Sequence, residues 1–235
     1  MCIVFTYKVI FLIINLMHDS IQKLIHIEKL LKSKEANLKK TEASKIIAVS
    51  KTFSLDKIMP LINHGHYDYG ENKVQEALDK WTQIKVEKPQ LKLHLLGKLQ
   101  TNKVKFAIKL FDFIHSLDSK KLAKKIYDEQ LSQNKRVKLF IQVNIGNEEQ
   151  KSGILKNDLD DLYNYCKELG LDILGLMCIP PLNSDPNPFF RELNDLNKNL
   201  NLKELSMGMS SDYLKAVEYN STYLRIGSAI FGERA

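Results

Sequence analysis

Cysteines and the common catalytic motifs are scarce in this chain, and each scarcity excludes a class of protein. The 235 residues include three cysteines, Cys2, Cys166 and Cys178, which are scattered and have no metal-ligand spacing. Such a set argues against a disulfide framework and favours a reducing, cytoplasmic setting. The sequence contains no Gly-x-Gly-x-x-Gly, Walker, Gly-x-Ser-x-Gly or paired-carboxylate motif. We therefore expect neither a dinucleotide site nor a serine-hydrolase site, and no metal site.

The charge pattern gives no sign of a nucleic-acid partner. The net charge of +7 permits such contact, but the lysines are spread through helical segments and no arginine-rich arm or aromatic-basic stripe is present. The composition, 44% apolar and 27% charged, is typical of a globular protein, and 235 residues suit one barrel-sized domain. We expect no nucleic-acid binding.

The first 16 residues differ from the rest because they are almost wholly apolar. This run is shorter than the roughly 20 residues of a membrane-spanning helix. It also lacks the charged start and the small-residue cleavage site of a signal peptide. We expect residues 1–16 to be a start-site artefact or an unstructured extension, with Met17 as the natural start. A barrel domain would then occupy residues 17–235 without a membrane partner, and a weak membrane tether is the alternative.

Eight short apolar runs alternate with segments of helical periodicity, after a first helix predicted from Asp19 to about Lys40. The predicted strands lie near residues 46–50, 67–69, 91–96, 111–117, 137–145, 172–178, 202–206 and 222–226. This rhythm and the chain length predict an α/β fold, a single (β/α)8 TIM-type barrel with an extra N-terminal helix. An open doubly wound sheet is the alternative.

Lys51 stands where the first predicted strand, Ile46 to Ser50, leaves the sheet. The carboxyl ends of barrel strands form the active face. A primary amine that is partly desolvated there has a lowered pKa and can form a Schiff base with an aldehyde. For a lysine taken alone, a solvated position at a strand end is the commoner explanation.

Two late segments predict a phosphate site, since barrels often bind phosphate with the loops after strands seven and eight. Ser206 to Ser210 leads into a predicted helix capped by Ser210, whose free N–H groups favour an anion. Gly227 and Ser228 offer backbone amides and a hydroxyl. Alternatively, the glycines only form tight turns and Ser210 is only an N-cap.

Arg225, on the eighth predicted strand, needs an acceptor if it lies at the mouth of a barrel. An ion pair with Glu71 is one explanation, and a hydrogen bond to a ligand's ring nitrogen or phosphate is the other. His94 and His115, within predicted strands three and four, are best explained as core histidines with satisfied hydrogen bonds rather than catalytic bases.

Ordered motifs from about Ile46 to Arg234 resemble those of the pyridoxal phosphate homeostasis proteins. The motifs are Ala48-Val49-Ser50-Lys51-Thr52, Gly70-Glu71-Asn72, His94-Leu95-Leu96-Gly97-Lys98-Leu99-Gln100, Lys151-Ser152-Gly153, Leu205-Ser206-Met207-Gly208-Met209-Ser210 and Arg225-Ile226-Gly227-Ser228-Ala229-Ile230-Phe231-Gly232. The apolar extension of residues 1–16 departs from the family pattern.

The resemblance implies a fold-type III barrel like the N-terminal domain of alanine racemase. It implies pyridoxal 5′-phosphate (PLP) bound to Lys51 as a Schiff base, with Arg225 facing the pyridine nitrogen. The residues implied to hold the phosphate are Ser206, Ser210, Gly227 and Ser228. Those implied to line the ring are Asn72 and Met177.

An arginine partner favours a carrier over an enzyme. Because arginine keeps its proton, the pyridine nitrogen stays unprotonated and the ring is a weaker electron sink. Alanine racemases also use a second, C-terminal β domain that supplies a tyrosine base, and this chain ends shortly after Gly232.

We therefore expect a monomeric, non-enzymatic PLP carrier for PLP homeostasis. It would deliver PLP to the apo forms of PLP-dependent enzymes, and amino acids are further candidate ligands. A racemase-like enzyme and a metabolite-binding barrel without PLP are the alternatives.

Overall fold

Eight parallel strands form a closed barrel in which each strand pairs with the next and β8 pairs with β1. The computed structural model describes residues 18–233. The strands β1 to β8 are Lys45–Val49, Asp68–Glu71, Lys92–Leu95, Phe113–Leu117, Lys138–Gln142, Ile173–Met177, Glu204–Met209 and Tyr223–Ile226. The predicted (β/α)8 barrel is confirmed.

Helices connect the strands, and one further helix precedes β1. The helices α1 to α9 are Asp19–Asn37, Leu55–His64, Val74–Glu87, Val104–Leu110, Lys120–Gln133, Leu159–Glu168, Asn187–Asn199, Tyr213–Glu218 and Ser228–Phe231. Single 3₁₀ turns, Thr101–Lys103 and Lys156–Asp158, precede α4 and α6. The N-terminal helix α1 buries Leu24, Ile27 and Leu31 and packs against α2, α8 and α9.

The predicted extension of residues 1–16 lies outside the described residues. Between residues 18 and 233, no helix combines the length and the apolar character needed to cross a bilayer.

Strand alternation divides the core into an outer layer and a barrel interior. In β1, Ile46 and Ala48 belong to the large cluster between strands and helices, while Ile47 and Val49 pack with Phe140 in the smaller interior cluster. Successive side chains of a strand point to opposite faces, so each strand serves both layers. The interior also contains polar side chains, which the strands bring to the site described below.

Two strands, β5 and β7, end three residues away from their sequence-based ends. β5 ends at Gln142 rather than near Ile145, because the Asn144 side chain bonds the backbone of Glu148 and turns the chain into a loop. β7 runs on to Met209, and its pairing with β8 shifts register between Ser206 and Met209. The longer β7 displaces the start of the next helix.

Candidate cofactor-binding site

A cavity of about 580 Å³ lies at the carboxyl ends of the strands. The loops after β1, β2, β6, β7 and β8 contribute to its lining. Six of the eight residues predicted for the site line this cavity: Lys51, Asn72, Ser210, Arg225, Gly227 and Ser228. Residues far apart in the sequence therefore meet in one place, as expected of the active face of a barrel.

Lys51 is half-buried in a tight turn directly after β1. The turn is closed by the Phe53 N–H, which donates to the Ser50 carbonyl over 3.1 Å. Thr52 has a φ of 67°, a costly value for a β-branched residue. Its N–H donates over 2.6 Å to the Glu76 carboxylate on α3, which holds the turn in place. The backbone that carries the Lys51 amine is thus fixed from outside the cavity.

A buried carboxylate stabilises the residue that precedes this turn, Ser50. Glu71 Oε1 accepts hydrogen bonds from Ser50 Oγ at 2.8 Å, Lys80 Nζ at 3.0 Å and Trp81 Nε1 at 2.9 Å. Lys80 also donates to the Ser50 carbonyl at 3.0 Å. Because Lys80 provides the matching charge, the ion pair between Glu71 and Arg225 that the sequence allowed is not formed.

Arg225 is buried, with 5% of its surface exposed, and both of its hydrogen bonds within residues 18–233 go to uncharged oxygens. Nη1 donates to Ser206 Oγ at 2.9 Å and Nη2 donates to the Cys178 carbonyl at 2.8 Å. Burial lowers the pKa of the guanidinium, but an arginine remains protonated in proteins. Its further N–H groups suit an acceptor atom of a ligand in the cavity.

Ser210 joins the loops after β7 and β8. Its Oγ accepts from the Gly227 and Ala229 N–H groups, each at 3.2 Å. The prediction that Ser210 caps the next helix is wrong: α8 begins at Tyr213, and Asp212 is the N-cap residue. Two backbone amides converging on one oxygen are nevertheless the kind of donor arrangement that binds phosphate oxygens.

Met177 and Ser206 are not among the residues that line the cavity. Met177 is fully buried in the interior cluster with Val49 and Leu96, both of which do line it. Ser206 is also fully buried and contacts Arg225. Both residues thus lie one layer below the cavity surface, and their predicted contacts with a ligand remain predictions.

Sequence reasoning placed His94 and His115 in the core but missed that they lie behind Ser206. His115 Nδ1 lies 2.8 Å from Ser206 Oγ, and His94 contacts His115 in turn. Both rings are buried and hydrogen-bonded, as expected of core histidines. Strand alternation could have placed them inside the barrel, but it could not have shown that they reach Ser206.

No group of three or more histidine, cysteine, aspartate or glutamate side chains in the described part of the chain could hold a metal ion. The polar lining of the cavity instead comprises an amine, a guanidinium, a carboxamide, hydroxyls and backbone amides, with the Glu233 carboxylate as the one acidic group among the described lining residues. The donors among these groups match an aldehyde, a ring nitrogen and a phosphate, so they fit PLP.

Comparison with known proteins assigns the chain to a family. A family model described as alanine racemase, N-terminal domain, matches residues 27–235. The pyridoxal phosphate homeostasis protein of Aquifex aeolicus is 39% identical over 218 residues, which cover 88% of this chain and 95% of that protein. The human protein of the same name is 37% identical, covering 81% of this chain and 76% of that protein. The chain belongs to the pyridoxal phosphate homeostasis protein family.

Solved structures agree with this family membership. The structure of PipY from Synechococcus elongatus was determined with PLP bound. PipY is 33% identical to this chain, and the two structures superpose with a TM-score of 0.76. The match covers 86% of this chain and 100% of PipY. An alanine racemase of Clostridium difficile has a TM-score of 0.71 at 13% identity, with 57% of that chain covered. The racemase comparison shows a shared barrel fold.

Proposed function

We propose that this chain binds PLP as a Schiff base on Lys51, protects the aldehyde from side reactions and passes PLP to apo PLP-dependent enzymes. The observation that carries the proposal is the convergence of Lys51, Arg225, Ser210 and Gly227 in one cavity. The PLP bound to PipY, a relative of 33% identity, supports the same ligand.

Lys51 provides the covalent step. When bound, PLP would supply an electrophilic aldehyde, and the Lys51 amine would be the group that condenses with it, with loss of water. An incoming amine would reverse the attachment by taking the place of the Lys51 nitrogen on the carbonyl carbon. The hydrogen-bonded turn after β1 would fix the backbone that carries this amine.

Arg225 orients the ring in this proposal. A guanidinium only donates hydrogen bonds, so it pairs with the lone pair of an unprotonated ring nitrogen. An unprotonated ring stabilises negative charge on the substrate poorly, which suppresses carbanion chemistry. The same residue would therefore retain PLP and limit its reactivity, as a carrier requires.

The phosphate end is suited to reversible binding. Ser210 and Ser228 offer hydroxyls there, and the Gly227 amide, which donates to Ser210 Oγ in this structure, is a further donor. Among the described residues that line the cavity, Lys51 is the one lysine and Arg225 the one arginine, and they are assigned to the aldehyde and the ring. Neutral donors hold a phosphate less tightly than paired arginines do. We expect PLP to be held firmly by the Schiff base and to be released once that bond is exchanged.

The test compares absorption spectra of the wild type, Lys51→Ala and the exposed-lysine control Lys57→Ala after addition of PLP. Wild type and control should show the visible band of a PLP Schiff base, and Lys51→Ala should lack it. Borohydride reduction followed by peptide mass spectrometry should place the label on Lys51. Identical spectra for wild type and Lys51→Ala would refute the attachment.

A second assay separates the carrier from the racemase alternative. PLP-loaded protein should restore the activity of an apo PLP-dependent enzyme and should leave L-alanine unracemised. Racemisation that depends on Lys51 would overturn the carrier assignment in favour of an enzyme.

A further inference from the structure

Five polar groups form a hydrogen-bonded chain across the barrel interior, here called the polar relay: Arg225, Ser206, His115, His94 and Asp68. The successive distances are 2.9 Å for Arg225 Nη1 to Ser206 Oγ, 2.8 Å for Ser206 Oγ to His115 Nδ1, 3.0 Å for His115 Nε2 to His94 Nδ1, and 3.0 Å for His94 Nε2 to Asp68 Oδ1. The relay starts at the cavity and ends at the first residue of β2.

The two ends of the polar relay determine its direction. The guanidinium of Arg225 can only donate, and the carboxylate of Asp68 can only accept. Each neutral imidazole has one donor and one acceptor nitrogen. One arrangement therefore satisfies every bond: Ser206 accepts from Arg225 and donates to His115 Nδ1, His115 Nε2–H donates to His94 Nδ1, and His94 Nε2–H donates to Asp68.

The surroundings keep both rings neutral and in position. His94 stacks on Phe113 and His115 stacks on Phe140, each with ring centroids 4.3 Å apart. Burial lowers the pKa of His94 and lowers that of His115 well below its usual value. A proton added to His115 would make Nδ1 a donor to Ser206, and one added to His94 would force His115 to accept at Nε2 and donate from Nδ1. In either case the Ser206 hydrogen would lose its acceptor on His115.

We propose that Asp68 is a positioning residue for Arg225: acting through His94 and His115, it directs the Ser206 hydrogen away from the guanidinium and so fixes Arg225 in the cavity. The inference rests on the proposed function in that Arg225 serves the PLP ring. Asp68 itself is partly exposed, with 21% of its side chain accessible, and it does not line the cavity.

The first test needs no PLP. Nitrogen NMR of protein labelled in its histidine rings, assigned with His94→Gln and His115→Gln, reports which ring nitrogens carry hydrogen. Wild-type protein should show both rings as neutral Nε2–H tautomers, and Asp68→Leu should add the Nδ1–H form. A charged ring or an Nδ1–H tautomer in the wild type at neutral pH would overturn the inference.

The second test follows PLP. Asp68→Leu should shift the absorption band of bound PLP and speed its release by about tenfold, the effect of losing one hydrogen bond to a charged group. Asp68→Asn keeps an acceptor oxygen and should stay close to wild type. His66→Gln is the matched control, because His66 bonds the Asp68 backbone carbonyl at 3.0 Å but lies outside the polar relay. Wild-type release from Asp68→Leu would refute the positioning role.

A double substitution keeps the proposal testable if Asp68→Leu also disturbs folding. Ser206→Ala cuts the polar relay next to Arg225, so adding Asp68→Leu should then leave the release rate unchanged. If the two substitutions instead speed PLP release by factors that multiply, Asp68 acts on PLP by a route that does not pass through Ser206. If wild-type protein takes up no PLP on Lys51, the proposed function fails, and the NMR test still decides the direction of the polar relay.

Discussion

Acid should destabilise the folded chain, because His94 and His115 are fully buried in the barrel interior. Burial lowers the pKa of both rings, and that of His115 lies well below its usual value. In the unfolded chain each ring has a pKa of about 6.5. Between the folded and unfolded pKa values the unfolded state binds more protons, so stability is lost as the pH falls through about 6.5.

The size of the effect follows from linkage. A histidine that stays neutral when folded destabilises the protein hardly at all about one pH unit above its unfolded pKa, and by about 1 kcal/mol about one unit below it. His115 alone should therefore lower the free energy of unfolding by about 1 kcal/mol between about pH 7.5 and about pH 5.5. His94 contributes with the same sign and by up to a similar amount.

Urea denaturation of PLP-free protein, followed by circular dichroism at both pH values, measures this loss. His115→Gln should reduce the pH-dependent part of the loss by about 1 kcal/mol, whatever it does to the overall stability. His64→Gln, at an exposed position, controls for removal of a histidine as such. An equal pH-dependent loss in wild type and His115→Gln would refute the reasoning, as would a wild type more stable in acid.

Other substitutions test the packing of the barrel and the state of its thiols. Gly175→Ala should destabilise the fold by about 3 kcal/mol or more, since its Cβ would lie 1.7 Å from a backbone oxygen of β7. Gly170→Ala has open space around it and should cost only about 1 kcal/mol, because its φ is +65°. Equal melting temperatures for these two variants would contradict the close approach of β6 and β7. Burial raises the pKa of Cys166 and Cys178 to about 12, so a thiol reagent should label neither in folded Cys2→Ser protein and both in urea. Rapid labelling of the folded protein would contradict their burial.

Local sequence patterns predicted the strands and the position of Lys51, because a short apolar run ending in a polar residue marks a buried strand and its exit. The eight strands lie close to their predicted positions. Signals of this kind depend on neighbouring residues and can be read from one chain segment at a time.

The partners of the site residues could not be predicted in the same way. Ser210 bonds amides 17 and 19 positions away, and His115 reaches Ser206 across 91 positions. Arg225 has neutral acceptors where the sequence suggested a carboxylate. Such contacts depend on the closure of the barrel, and a local pattern does not record which inward side chains meet across it.

The two hydrogen bonds of Arg225 also have a consequence for how the barrel opens. Arg225 belongs to β8, yet it bonds Ser206 on β7 and the Cys178 carbonyl directly after β6, so one side chain crosslinks three consecutive strands. These bonds lie beside the register shift of the β7–β8 ladder, where backbone pairing is interrupted. Separating β7 from β8 therefore requires breaking the Arg225 hydrogen bonds as well as the backbone pairing. Amide hydrogens of β6 to β8 should therefore exchange together and late, as one cooperative unit, and Arg225→Leu should divide that unit into separately opening strands.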